Sequence, residues 1–290
     1  MFIGIDHGTT AMRFSTGEED YKISREEARH FTADDLARLS PLDEIEGIAV
    51  CYSMGDGISA ITDIRKVTGR GVVSREGAGK HIGGGTRVYD EIRRSGLSAV
   101  VIPGLHRASP TDPRFKAYSH QASPEKIGIL YEVSHDLGGD IVVCDTSSNT
   151  VTLLVTGGRI VGAFDACIFA PGTRHGALDV DAIRRIDRGE STANDAFLHA
   201  GVDNTMNPEF RVETMAMFAA MECAAMLLLN PGAKVALAGS MASAVAPGVE
   251  ALLSRKVAVY DEWCAARGLA RIARDVFSGA TGILGLAVER

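Results

Sequence analysis

Apolar and polar positions divide the chain into two halves with the same order of elements. The first half has three strand patterns, at residues 2–6, 11–16 and 21–23. They are followed by a helix at 32–39, a strand at 47–52, a helix at 87–95 and a strand at 98–102. The second half has three strand patterns, two helices, a strand and a last helix, at residues 141–145, 150–155, 159–164, 180–188 (helix), 212–229 (helix), 234–238 and 249–267 (helix). A polar loop over 109–113 and a helix over 124–137 separate them. The repeated order predicts a duplicated α/β architecture.

In each half a strand that carries an aspartate enters a turn rich in Gly, Ser and Thr. Asp6 precedes His-Gly-Thr-Thr, and Asp145 precedes Thr-Ser-Ser-Asn. Glycine lets backbone approach a phosphate, and an aspartate can hold a hydrated magnesium ion. Residues 11–16 alternate after the first turn, which favours a hairpin over the helix that a P-loop requires. The alternative is an ordinary hairpin turn, but two such turns facing each other could hold one polyphosphate from both sides.

Composition narrows the class of protein. The chain has 290 residues, 46% of them hydrophobic, and 32 glycines, which suits one large or two medium α/β domains. The formal net charge of −7 argues against broad nucleic-acid binding. Five scattered cysteines without a CxxC pair indicate reduced thiols in a cytoplasmic protein without a structural metal site. The apolar run 215–229 is interrupted by Glu222, so we expect a buried helix and no membrane span.

Several segments resemble the superfamily of acetate and sugar kinases, Hsp70 chaperones and actin. Residues 4–10 resemble its first phosphate motif, 145–149 its second, Gly239-Ser240 its adenosine motif and 279–285 its second connecting helix. The resemblance implies an actin-like ATPase, ribonuclease H-like fold whose duplicated β-β-β-α-β-α domains flank a nucleotide cleft. It also implies a division into an N-terminal subdomain 1–138, a C-terminal subdomain 139–275 and a C-terminal helix, 276–290, that returns towards the first.

The same resemblance implies ATP and Mg²⁺ as cofactors. Asp6 and Asp145 would hold the metal, and Asp145 is also a candidate catalytic residue. The residues expected to bind the nucleotide are Gly8, Thr9, Thr10, Thr146, Ser147, Ser148, Asn149, Gly239 and Ser240.

A narrower resemblance points to acetate and butyrate kinases. Residues 171–179, Pro-Gly-Thr-Arg-His-Gly-Ala-Leu-Asp, are similar to their GTRSGDLDP segment, so Arg174 takes the place of the arginine that stabilises the transferring phosphoryl group. A surface arginine paired with Asp179 is the alternative. Residues 118–123 place His120 where that family has an active-site histidine, although a structural histidine would look the same. Arg70 could hold a substrate carboxylate or be a solvated turn residue.

Departures from the acetate kinase pattern weaken the prediction of acetate kinase activity more than the prediction of the fold. Ile102 stands where those enzymes place a catalytic aspartate, and Asp112 is the nearest substitute. Residues 77–85 lack the GKS/GKT ending of a phosphate loop and are expected to form a loop near the cleft, with Lys80 as a candidate contact. Nucleotide binding is therefore better supported than phosphorylation of acetate.

At family level, residues 2–14 together with 171–180 look like the methanogenesis marker protein 12 family. This implies a methanogenic archaeon as the source and a role tied to methane metabolism, without a known reaction. Acetate kinase relatives suggest a homodimer.

Three functions remain open at this point. The first is an ATP-dependent phosphotransferase acting on a small carboxylate or related acceptor. The second is a nucleotide-driven ATPase switch that assists a methanogenesis protein partner, and the third is a scaffold that binds no nucleotide.

Overall fold

Two β-sheets lie on either side of a pair of packed helices in the computed structural model, which describes residues 1–74 and 84–290. The strands are β1 Phe2–His7, β2 Ala11–Ser15, β3 Asp20–Ser24, β4 Gly47–Val50, β5 Ile61–Asp63, β6 Ala99–Val101, β7 Leu105–His106, β8 His120–Ala122, β9 Ile141–Thr146, β10 Thr150–Thr156, β11 Arg159–Phe164, β12 Lys234–Ala238, β13 Ala258–Val259, β14 Gly282–Ile283 and β15 Leu286–Glu289. The α-helices are α1 Gly85–Ser95, α2 Glu125–Leu137, α3 Val180–Asp187, α4 Ala193–Leu198, α5 Val202–Thr205, α6 Arg211–Leu229, α7 Ala242–Leu253 and α8 Cys264–Phe277.

The two sheets share one local topology. The first has the order β14-β15-β5-β6-β4-β1-β2-β3 and the second the order β11-β10-β9-β12-β13. In each, the strand that carries the predicted aspartate lies between its antiparallel hairpin partner and a parallel strand: β1 between β2 and β4, and β9 between β10 and β12. The duplicated order predicted from the sequence is therefore present in the fold.

Helices α2 and α8 form the central layer, with α8 against β1 and α2 against β9. Glycines allow the close contact. A Cβ on Gly268 of α8 would lie 1.9 Å from the carbonyl oxygen of Gly128 on α2, and a Cβ on Gly4 of β1 would lie 2.0 Å from the carbonyl oxygen of Ala266. One apolar core joins both sheets through these helices. Two further apolar cores lie on the outer faces, one against each sheet.

Two sequence predictions near the C-terminus are wrong. Residues 276–290 do not form a helix, because Leu286–Glu289 pairs in parallel with Ile61–Thr62 and extends the first sheet. The last helix of the expected C-terminal subdomain, α8, also packs on the first sheet. The predicted helix 249–267 is divided between the end of α7 and the start of α8. It is interrupted because Ser254 has a positive φ of 52° and Ala258–Val259 forms the edge strand of the second sheet.

Helix α6 is only partly buried. Its inner face packs on β9 and β10, whereas Met217, Met221 and Leu228 are exposed. The segment Pro208–Leu229 is long and apolar enough to cross a bilayer by length and composition alone, a test that an ordinary core helix also passes. Of the segment 77–85, residues 77–83, including Lys80, lie outside the described residues.

Replacing Gly268 with alanine is expected to destabilise the fold. The new methyl group would overlap the Gly128 carbonyl, and overpacking costs about 1–3 kcal/mol or more, which exceeds the gain in helix propensity. Urea unfolding measures the change. Gly232→Ala is the matched control because its nearest neighbour would be 3.6 Å away. Equal stability of the two variants would contradict a tight helix crossing.

Glu222 makes stability depend on pH. Its carboxylate accepts hydrogen bonds from Thr152 Oγ1 (2.7 Å) and the Ala170 amide (3.1 Å), and burial raises its pKa to about 8. The folded chain therefore retains a proton that the unfolded chain loses above the ordinary pKa of 4.5. The free energy of unfolding should fall as pH rises from about 5 to 8, by up to ~1.4 kcal/mol per pH unit from this group. Chemical denaturation across this range should show that Glu222→Gln removes that slope; an unchanged slope would contradict it.

Candidate functional site

The carboxyl ends of β1 and β9 direct Asp6 and Asp145 into one cavity of about 500 Å³ between the sheets. Both residues are 3% exposed. The turns that follow the two strands meet at the rim of the cavity, where Ser148 Oγ donates a hydrogen bond to Thr9 Oγ1 at 3.1 Å. The two polar turns recognised in the sequence therefore face each other in the fold.

Asp6 is paired on one side only. Arg13 donates to Asp6 Oδ2 at 3.3 Å, while Asp6 Oδ1 is buried without a hydrogen-bond partner. Arg13 is itself anchored by Glu262, with Nη2 2.8 Å from Oε2. Burial raises the pKa of Asp6 to about 6, although the Arg13 charge opposes that shift.

Asp145 has the same one-sided arrangement. Its Oδ2 accepts hydrogen bonds from Lys126 Nζ at 2.5 Å and from Ser147 Oγ at 3.2 Å, and its Oδ1 is buried without a partner. A Cβ on Gly239 would lie 2.2 Å from that free oxygen. Gly239 also has a φ of 97°, which disfavours any side chain there. The adenosine-like turn can therefore approach Asp145 closely only as glycine.

Lys126 is the main charged residue of the cavity that the sequence did not indicate. It lies in the first turn of α2, is 4% exposed and also contacts Glu125 Oε1 at 3.0 Å. Burial alone would lower the pKa of Lys126, but Asp145 and Glu125 raise it overall. The available signal was a lysine in the first turn of a helix, just before the run Ile-Gly-Ile-Leu, a position that on its own is typical of an exposed side chain.

Backbone hydrogen bonds attach the segment 172–175 to the second turn. The Thr173 amide donates to Ser147 O at 2.9 Å, and the amides of Arg174 and His175 donate to Ser148 O at 3.2 and 3.0 Å. Burial lowers the pKa of His175 to about 4, so the neutral ring donates through Nδ1 to Asn149 Oδ1. This attachment brings Arg174 into the lining of the cavity.

Most of the predicted nucleotide-binding residues line the same cavity. They are Gly8, Thr9, Thr10, Ser147, Ser148, Asn149, Gly239 and Ser240. Thr146 lies behind the lining, fully buried, where its Oγ1 donates to Ala238 O at 3.2 Å. The apolar side chains of Val202, Pro208, Val212, Met215 and Met241 also line the cavity, together with the charged Asp203 and Arg211.

The residues expected to act on an acceptor lie elsewhere. His120 does not line the cavity; its Nε2 is 3.3 Å from Asp165 Oδ2, without hydrogen-bond geometry. Arg70 forms two 2.8 Å hydrogen bonds with Asp90, away from this lining. Ile102 is fully buried in the central core. Asp112 instead caps the 3₁₀ helix 113–117 and pairs with Arg114.

The free oxygens of Asp6 and Asp145 fit a hydrated magnesium ion better than a protein-only metal cage. Among residues 1–74 and 84–290, no group of three or more His, Cys, Asp or Glu side chains could hold a metal by itself. Magnesium commonly uses one or two carboxylates and takes its other ligands from water and phosphate. The donor set therefore suits a metal that arrives with a phosphate-bearing ligand.

No protein-family model matches the chain. Curated proteins match it along nearly their whole length. A UPF0285 protein of Methanosarcina mazei is 44% identical, with 99% of each chain covered, and one of Methanothermobacter thermautotrophicus is 40% identical, with 100% of this chain and 98% of the relative covered. The chain belongs to the UPF0285 family, whose members include proteins of methanogenic archaea.

Solved structures establish the fold class. Acetate kinase from Porphyromonas gingivalis aligns with a TM-score of 0.56 at 10% identity, covering 92% of this chain and 90% of the kinase. A ROK family glucokinase from Streptomyces griseus, solved with glucose and AMPPNP, aligns with a TM-score of 0.51 at 12% identity, covering 94% of this chain and 99% of the glucokinase. The chain has the actin-like ATPase fold predicted from its sequence.

Lys126 and Asp145 should be strongly coupled in stability. Lys126→Met leaves the buried Asp145 carboxylate without its cation and should cost about 3–5 kcal/mol. Asp145→Asn should cost less, because the Lys126 ammonium keeps its contact with Glu125. The double variant should lose less than the sum by about 1–3 kcal/mol. Urea unfolding of all four chains closes the cycle.

The exposed pair Lys256 and Glu250, 3.1 Å apart, provides the control cycle. Its coupling should stay below about 1 kcal/mol. Additive losses at Lys126 and Asp145 would show that their contact does not stabilise the folded chain.

Proposed function

We propose that this UPF0285 family member binds ATP with Mg²⁺ in the cavity and cleaves the bond to the γ-phosphoryl group. One observation carries the proposal: two buried carboxylates on corresponding strands, Asp6 and Asp145, face one cavity and each keeps one oxygen free. A pair of polar turns lines the same space, as do four cationic side chains, Arg13, Lys126, Arg174 and Arg211.

The polyphosphate would lie between the two turns. Hydroxyl groups of Thr9, Thr10, Ser147 and Ser148 would donate to its oxygens, and Gly8 would admit it close to the backbone. Asp6 and Asp145 would hold the metal, which neutralises charge on the β- and γ-phosphates when bound.

The base would lie against the apolar part of the lining. Val202, Pro208, Val212, Met215 and Met241 line the cavity, as do Gly239 and Ser240, the turn expected to border adenosine. Apolar lining of this kind favours an aromatic base, with a few polar groups setting its orientation.

Cleavage would use three charged side chains of the cavity lining. Glu125 would orient a water molecule and accept its proton as the water oxygen bonds to the γ-phosphorus. The bond to the leaving oxygen of ADP then breaks, and Arg174 and Lys126 would stabilise the charge on the phosphoryl oxygens. Arg174 suits this role because its charge is permanent and its donors form a fork.

An ATPase that acts on a protein partner is the first candidate function. His120, expected as an active-site histidine, and Arg70, expected to hold a substrate carboxylate, are outside the cavity lining, so water is the acceptor best supported. The occurrence of relatives in methanogenic archaea supports a partner from methane metabolism. Domain closure would then transmit the nucleotide state.

A phosphotransferase acting on a small carboxylate is the second candidate. It is favoured by Arg174, which the acetate-kinase-like segment 172–175 brings into the cavity. In that case closure would exclude water so that the acceptor is phosphorylated in preference to hydrolysis.

Arg174→Ala should lower turnover far more than affinity. The guanidinium is needed most in the transition state, so ADP release should fall about 100-fold or more while the dissociation constant for ATP changes about threefold or less. Isothermal titration gives the affinity and a coupled ADP assay gives the rate. Arg184→Ala, in an exposed pair with Asp181, is the control.

The same assays decide between the candidates. Acceptor-independent ADP release supports the ATPase, whereas release that requires one carboxylic acid supports the phosphotransferase. Failure of the wild-type chain to bind ATP with Mg²⁺ would reject both and leave the scaffold hypothesis.

A further inference from the structure

The charged groups on the cavity floor are arranged around one ammonium. Lys126 Nζ lies 2.5 Å from Asp145 Oδ2 and 3.0 Å from Glu125 Oε1. Asp6 is near enough to experience the charges of both Lys126 and Glu125. Two carboxylates therefore contact a single buried lysine, and a third, Asp6, lies close enough to interact with its charge and is paired with Arg13.

Such a group of carboxylates would repel itself without a cation. Charges in a buried site interact strongly, and removing one partner leaves an uncompensated charge. Lys126 supplies the compensating charge from within the chain. A divalent cation that bound to Asp145 would meet a positive charge already in contact with that carboxylate.

We propose that Lys126 is an internal counter-cation that prevents Asp145 from binding a divalent metal until a phosphate group attracts the ammonium away. This rests on the proposed function, because it specifies how the same cavity admits its metal. The metal and the nucleotide would then bind together, and free divalent cations would bind weakly.

Lys126 can make this exchange, whereas Arg13 is held in place. Arg13 donates to Glu262 Oε2 through both Nε, at 3.3 Å, and Nη2, at 2.8 Å, in addition to its contact with Asp6. Both contacts of Lys126 are with carboxylates of the cavity lining. A flexible four-carbon side chain carrying a point charge can move from a carboxylate to a phosphate oxygen without movement of the helix.

The test is binding of Mn²⁺ alone to the full chain, measured from the electron paramagnetic resonance signal of free Mn²⁺ in the absence of nucleotide. Lys126→Met should bind Mn²⁺ about tenfold or more tightly than the wild type, since ligand charge sets the affinity of such sites. Lys126→Gln should show the same gain and retains a hydrogen-bond donor towards Asp145. Circular dichroism verifies that each variant is folded.

Two controls assign the gain to this cavity. Lys256→Met removes the same charge from an exposed pair with Glu250 and should leave Mn²⁺ affinity unchanged. Adding Asp145→Asn to Lys126→Met should abolish the gain, because it removes the carboxylate that Lys126 protects.

Equal Mn²⁺ affinity of the wild type and of a folded Lys126 variant would overturn this inference. The metal measurement needs no nucleotide, so it is separate from the proposed function. A wild-type chain that binds ATP but shows no metal gain at Lys126 would refute the inference alone. A metal gain in a chain that binds no ATP would refute the proposed function alone.

Discussion

The close crossing of α2 and α8 determines where the charged groups of the cavity lie. Gly128 and Gly268 bring the two helices together, and Gly4 brings α8 against β1. Asp6 follows Gly4 by two residues, so it points to the same face of β1, towards the helices. Lys126 precedes Gly128 by two residues in the first turn of α2. A larger side chain at the crossing would therefore separate the helices and displace both charges together.

Charge compensation is the second constraint on this region. Asp6, Asp145 and Glu125 are placed at the junction of two apolar sheets, where burying a carboxylate is costly. Arg13 and Lys126 compensate that cost while leaving one oxygen of each aspartate free. A site arranged in this way is stable without a ligand and still offers carboxylate oxygens to one. Fully paired carboxylates would have no free oxygen, and fully unpaired carboxylates would destabilise the fold.

Local patterns predicted the parts of the site that depend on neighbouring residues in sequence. The turns after Asp6 and Asp145 and the segment around Arg174 were found because a strand, a glycine and hydroxyl residues occur together. Lys126 was not predicted as a site residue, because nothing in the local sequence distinguishes a buried lysine from an exposed one at the start of a helix. His120 shows the converse case. Its short motif resembles a family segment, but its position beside Asp165 is set by tertiary contacts that the motif does not contain. The C-terminal strand likewise depends on a distant partner at Ile61.

The likeness to solved structures identifies the fold, whereas the residues of the cavity carry the proposed chemistry. Likeness to acetate kinase and to a ROK glucokinase, at 10–12% identity, shows the arrangement of the sheets and does not assign an acceptor. Of the two segments that resemble acetate kinases, the one at 172–175 is attached to the turn at Ser147 and Ser148, so Arg174 lines the cavity. His120, in the other segment, does not line it. The proposed cleavage therefore rests on residues of the lining, and water is the acceptor that these residues support.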